Sequence, residues 1–211
     1  MLSPHNLNFL VYNDTLIEEH ITGIPGDEFI EHMLPNCTES EKSQIAKEFV
    51  KFNERCMIRL LGDMRSYNYV IVPTHDFDHV VYSIRAIDFD QQSYEGKFNV
   101  YRPQFFKENF KMVDLVSEKF EKMSINQYKL EERSIVAKRL MSYKNRVERL
   151  IKSMIADTIS TPDHETLLKT KIFEYTNDPE FLKSKNMGEI LKNALGYVKK
   201  NYQTENTDIL F

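Results

Sequence analysis

The 211-residue sequence contains no tryptophan and only two cysteines, Cys37 and Cys56. Two cysteines imply no disulfide framework, so they are read as small packing residues and a reducing cytoplasm is the expected compartment. No apolar run approaches the length that spans a bilayer, so no membrane partner is expected. Met1 to His5 lack the basic start and apolar core of a secretory signal. There is no large excess of one charge: the formal net charge of −4 gives no global reason to expect nucleic acid or an anionic surface. No internal repeat or low-complexity linker is visible. What is present is ordinary for a globular protein: 41% hydrophobic and 28% charged residues, with fourteen Phe and eleven Tyr to build a core. The length suits one large domain or two small ones.

Asn8 to Val11 and Thr15 to Ile21 are short apolar-rich runs separated by Asn13-Asp14, which predicts a β-hairpin. Thr22 to Asp27 is a breaker cluster. A short helix is expected from Asp27 to Leu34, capped by Asp27 and stopped by Pro35. Thr38 with Glu41 forms a capping-box pattern. Ile45, Phe49, Phe52, Cys56 and Leu60 then recur at helical spacing, predicting a buried helix to about Leu60. Tyr69 to Val72 and Val80 to Ile87 read as strands joined by a polar turn from Pro73 to His79, and Asp88 to Pro103 as a long loop. The remainder reads as helices: Phe105 to Phe120, Asn126 to Ala156 with a stripe that includes Tyr143 and Leu150, one starting at Pro162, and Phe181 to Tyr202.

The chemistry-bearing pattern is Gly62-Asp63-Met64-Arg65-Ser66-Tyr67-Asn68, followed by the strand pair and then Ile87-Asp88-Phe89-Asp90. Two carboxylates and an amide on short loops flanking two strands suit phosphoryl transfer. One carboxylate orients a hydroxyl and accepts its proton, while the amide and the second carboxylate supply oxygen ligands to magnesium. The Thr74 to His79 segment gathers His75, Asp76, Asp78 and His79, but its place between strands favours a solvated turn over a metal site. Lys138, Arg139, Lys144, Arg146, Arg149 and Lys152 are interrupted by Glu148 and read as a solvated helix face. Tyr94 and Tyr101 read as packing residues.

These residues resemble the protein-kinase-like superfamily. Asp63 and Asn68 are similar to its Asp-x-x-x-x-Asn catalytic loop, and Asp88-Phe89-Asp90 to its Asp-Phe-Gly motif. The Gly-Asp start and the acidic third position look most like aminoglycoside and choline phosphotransferases. The resemblance covers roughly Asn8 to Phe105, and the helical remainder fits a kinase C-lobe only in type. It implies an α+β, mainly helical fold: residues 1–26 a hinge-like hairpin remnant of the upper lobe, residues 27–211 a helical C-lobe-like domain. It implies ATP and Mg2+ as cofactors, Asp63 as catalytic base and Arg65 as the cation facing the phosphate. Asn68, Asp88 and Asp90 would hold metal, and Glu19, His20 and Ile21 would offer hinge groups to the nucleotide. Gln91 to Pro103 would be the activation-segment equivalent.

The sequence departs from that pattern in two places. Leu61 stands where the family usually has His. Upstream there is no glycine-rich loop and no strand lysine for the phosphates, the first lysine being Lys42 on the expected buried helix. The chain is then a fragment of a longer kinase, a lower lobe completed by another chain, or a degenerate kinase fold. The expectation is weak or absent phosphotransfer by this chain alone. The alternative function is a non-catalytic interaction protein whose N-terminal hairpin edge is covered by a partner or a second copy.

Overall fold

A computed structural model describes residues 9–12, 15–18, 20–76, 79–89 and 96–202. The fold is α+β and mainly helical. Strands β1 (Phe9–Tyr12) and β2 (Thr15–Glu18) pair antiparallel with each other, as the sequence predicts. A second, three-stranded antiparallel sheet has the order β3 (Ile24–Pro25), β4 (Tyr69–Asp76), β5 (His79–Ala86). Ile24 and Pro25, at the end of the 1–26 segment, therefore belong to the sheet that carries the candidate site.

The segment expected as one helix from Asp27 to Leu34 is three short pieces. Helix α1 (Gly26–Glu28) passes into a π-turn at Phe29–Met33 and a 3-10 turn at Leu34–Asn36. Asp27 caps nothing, because Pro25 occupies the N-cap position, and Pro35 sits inside the 3-10 turn instead of stopping it. Gly26 is required here: a Cβ would lie 2.2 Å from the Tyr69 ring and 2.4 Å from the Ser66 carbonyl oxygen. The wide turn presses Phe29 and Ile30 into the core.

Helix α2 (Glu39–Arg59) is the centre of the molecule. Its capping box forms as expected, with Thr38 N–H donating to Glu41 Oε2 at 2.8 Å and Glu41 N–H donating to Thr38 Oγ1 at 3.3 Å. Ile45, Phe49, Phe52 and Cys56 are buried, as the periodicity predicts. The helix ends where Leu60 takes a left-handed conformation, φ 50°, and Leu61 N–H closes back on the Cys56 carbonyl at 2.9 Å. Helices α3 (Phe110–Lys119), α4 (Lys122–Ser142) and α7 (Met187–Asn201) pack on it, together with β5.

Because the middle of α2 is covered on several sides, its Glu54 and Arg55 are buried and paired. Arg55 donates to Glu48 at 2.6 Å, to Glu132 of α4 at 3.3 Å and to the Ile84 carbonyl at 3.3 Å. Arg133 of α4 donates to Glu54 at 2.5 Å. These ions join α2, α4 and β5.

Several element boundaries differ from expectation for physical reasons. The strand hairpin continues through Pro73, Thr74, His75 and Asp76, with Asp76 opposite His79, so the expected turn from Pro73 to His79 is mostly strand. Pro73 is tolerated because β3 pairs only as far as Ile71, leaving β4 an edge at that point. Residues 105–109 form 3-10 turns and the helix starts only at Phe110. The segment from Asn126 to Ala156 is two helices, α4 and α5 (Lys144–Ala156), broken at Tyr143 with φ −110° and ψ 26°. The break re-phases the apolar face: Ile151 is buried, while Tyr143 and Leu150 are exposed. Helix α6 (Pro162–Thr176) starts on its proline, as expected, behind the N-cap Thr161. The last expected helix is a 3-10 turn at Phe181–Lys183 followed by α7, which Asn186 caps. No helix among the described residues is long and apolar enough to cross a membrane.

Candidate active site

The loop after α2 folds around Asp63. Its backbone is left-handed, φ 57°, a conformation costly for most residues but accessible to Asp. Its N–H donates to the Val100 carbonyl at 3.0 Å, joining the loop to the 3-10 turn at Phe98–Tyr101. Its own carbonyl accepts from Arg65 N–H at 2.8 Å and from Asn68 Nδ2 at 2.7 Å. Asn68 Nδ2 also reaches the Asp63 carboxylate at 3.4 Å. Asn68 spends its amide hydrogens on Asp63, which leaves Oδ1 as the acceptor end of the side chain.

Asn68 also fixes the second carboxylate. Its main-chain oxygen accepts from Ile87 N–H at 3.0 Å, so Asp88 begins one residue from that bond. Asp88 is exposed and is likewise left-handed, φ 60°. The next residue, Phe89, turns back and packs against the main core. Asp63 and Asp88 thus both take the left-handed conformation, on loops joined by the Ile87–Asn68 bond.

Arg65 closes the cluster. Its Nε donates to Asp63 Oδ1 at 3.0 Å, its Nη1 donates to Glu108 Oε1 at 3.1 Å, and its guanidinium lies 5.0 Å from the Phe106 ring centre. The hydrogen bond to Asp63 holds the Arg65 pKa above its ordinary value. Glu108, Phe106 and Asn109 are participants that the sequence did not reveal. Asn109 is fully buried: its Nδ2 donates to the carbonyls of Met64 at 3.0 Å and Pro103 at 2.9 Å, and its Oδ1 accepts from Tyr69 OH at 2.9 Å. It ties the Asp63 loop to the segment after Asp88. No local pattern marks it, because its three partners lie on three separate segments.

The chain beyond Asp88 is held by Arg102, whose guanidinium sits 4.3 Å from the Phe105 ring, 5.2 Å from Tyr175 and 5.6 Å from Phe98. Burial lowers the Arg102 pKa.

Of the expected site residues, the structure brings Asp63, Arg65, Asn68 and Asp88 to one loop cluster. His20 is exposed and Ile21 half-buried, and no hydrogen bond among the described residues ties either to Asp63 or Asn68. Glu19 and Asp90 lie outside the described residues, as do residues 91–95 at the start of the Gln91 to Pro103 stretch. Among the described residues no group of three or more His, Cys, Asp or Glu could hold a metal ion. Magnesium does not require one, since it keeps waters and takes one or two carboxylates. Asn68 Oδ1 and the exposed Asp88 carboxylate are oxygen donors that fit it. His75 and Asp76 stand exposed at the end of β4.

No protein-family model, curated protein or solved structure matches this chain.

Proposed function

We propose that this chain carries the magnesium- and hydroxyl-binding half of an ATP-dependent phosphotransferase. One observation supports the reading above the others: Asn68 bonds Asp63 through its side chain and the Asp88 loop through its backbone. A potential base, an amide oxygen and a second carboxylate are thereby set on adjoining loops at the ends of a rigid hairpin. Asp63 orients the acceptor hydroxyl and takes its proton as the oxygen attacks the γ-phosphorus of ATP, whose bond to the β,γ-bridging oxygen breaks to release ADP. Arg65, beside Asp63, offsets charge on the transferred phosphoryl group. Asn68 and Asp88 would hold magnesium, which when bound neutralises the phosphate oxygens. His20 and Ile21 are the described residues proposed to face the nucleotide base.

A second reading is favoured by the state of Arg65. Arg65 is already paired with both Asp63 and Glu108. On this reading the same scaffold is a non-catalytic interaction protein.

Thermal unfolding with and without millimolar Mg2+-ATP separates the two. Stabilisation that Asp88→Ala abolishes supports the phosphotransferase reading. Absence of any shift supports the interaction reading.

A further inference from the structure

Helices α5 and α7 pack side by side and leave a groove of about 530 Å³ between them. Its floor is apolar, formed by Leu140, Val147, Ile151, Ile155 and Leu195. Its rim is cationic: Lys152 on α5, and Lys192 and Lys199 on α7, are all exposed. None of these three lysines has a carboxylate partner among the described residues. Glu148 is the one acidic residue lining the groove, and it stands 3.9 Å from Lys144. This basic rim belongs to a chain whose net charge is −4.

The two glycines of α7 make a second, independent observation. At Gly188 a Cβ would lie 2.6 Å from the Ile155 backbone nitrogen, so close approach of α5 explains that glycine. At Gly196, in the helix interior and lining the groove, a Cβ would meet nothing within 4 Å. Glycine weakens a helix interior relative to alanine, and here no internal contact requires it. Its effect is to leave the groove floor open between Lys192 and Lys199, where another backbone can approach closely.

We propose that this groove docks an amphipathic helix of a partner protein, apolar on one face and lined with Asp or Glu along its edges. The apolar floor takes the leucine-like stripe of such a helix, and the three lysines take its flanking carboxylates. The floor also decides against a nucleic acid, whose phosphate backbone has no use for buried aliphatic surface. This inference stands independently of the Asp63 site.

The test is fluorescence anisotropy with a labelled helical peptide of about 14 residues, leucines at i, i+3, i+4 and i+7 and glutamates on both edges. The comparison probes are a scrambled peptide of the same composition and a single-stranded DNA of similar length. The ordered peptide is expected to bind, and Lys152→Glu with Lys192→Glu to weaken it about tenfold or more. Gly196→Leu is expected to abolish binding while raising the thermal midpoint of the protein, since the added side chain enters open space. The proposal is overturned if the scrambled peptide or the DNA binds as well as the ordered peptide. It is equally overturned if Gly196→Leu leaves affinity unchanged or lowers the midpoint. Concentration-dependent dimerisation that Gly196→Leu removes would assign the groove to a second copy of the chain and also overturn it.

Discussion

Asn68 donates from one amide nitrogen to both the main-chain oxygen of Asp63, at 2.7 Å, and its carboxylate, at 3.4 Å. The loop between them is thus closed by a side chain instead of by regular secondary structure. Asn68→Ala should remove these bonds while the Asp63 carbonyl keeps Arg65 N–H as a donor, costing about 1 kcal/mol in denaturant unfolding. Asp63→Asn should keep the backbone bond and most of the stability. If the phosphotransferase reading is right, Asp63→Asn keeps the Mg2+-ATP thermal shift and Asn68→Ala loses it.

Arg55 is the hub of a buried ion cluster with Glu48 and Glu132. Arg55→Ala should destabilise by about 3–5 kcal/mol, because two carboxylates stay buried without their counter-charge. The triple variant Arg55→Met, Glu48→Leu, Glu132→Leu removes the charges together and should recover most of that loss. Urea midpoints of the two variants provide the comparison.

Glu41 accepts bonds from Thr38 N–H at 2.8 Å and from Tyr82 OH at 2.8 Å. The Thr38 backbone bond leads the interactions that hold its carboxyl pKa below the ordinary 4.5. A folded-state pKa below the unfolded one adds stability above pH 4.5 that is lost as pH falls through the folded value. Glu41→Gln keeps a capping oxygen and removes the titration. Unfolding free energy measured from pH 6 down to about pH 3 should therefore fall less steeply in Glu41→Gln than in the parent.

Cys56 is fully buried in α2, and burial pushes its thiol pKa up to about 12. Cys37 is half-buried, and burial raises its pKa as well. At about pH 8 a disulfide reagent should label Cys37 slowly and Cys56 only after unfolding. Labelling of both thiols at equal rates in the native protein would contradict the packing of α2.

Much of the fold was legible because it is locally encoded. Thr38 and Glu41 cap α2 through contacts three residues apart, and Pro162 starts α6 by its fixed φ. Misreadings arose where a distant contact outweighed the local signal. Pro73 reads as a turn residue but sits in β4, because β3 is too short to need its missing N–H. The stripe from Val136 to Met154 reads as one helix, yet the chain breaks at Tyr143 so that Ile151 can reach the cluster containing Leu195 and Val198. The candidate site was legible as an order of residue types, Asp63, Asn68 and Asp88. Its supports, Glu108 and Asn109, were not, since their partners are 43 and 45 positions away.

By itself the sequence determined the central buried helix, the antiparallel hairpin beyond it, and which carboxylates stand at that hairpin's ends. Periodicity, capping and β-branching act over a few residues and are written in the chain. Tertiary structure alone decided the left-handed backbones of Asp63 and Asp88, the Arg65–Glu108 pair and the open floor at Gly196. Each depends on segments far apart in sequence, whose approach is set by how the whole core packs and not by any local preference.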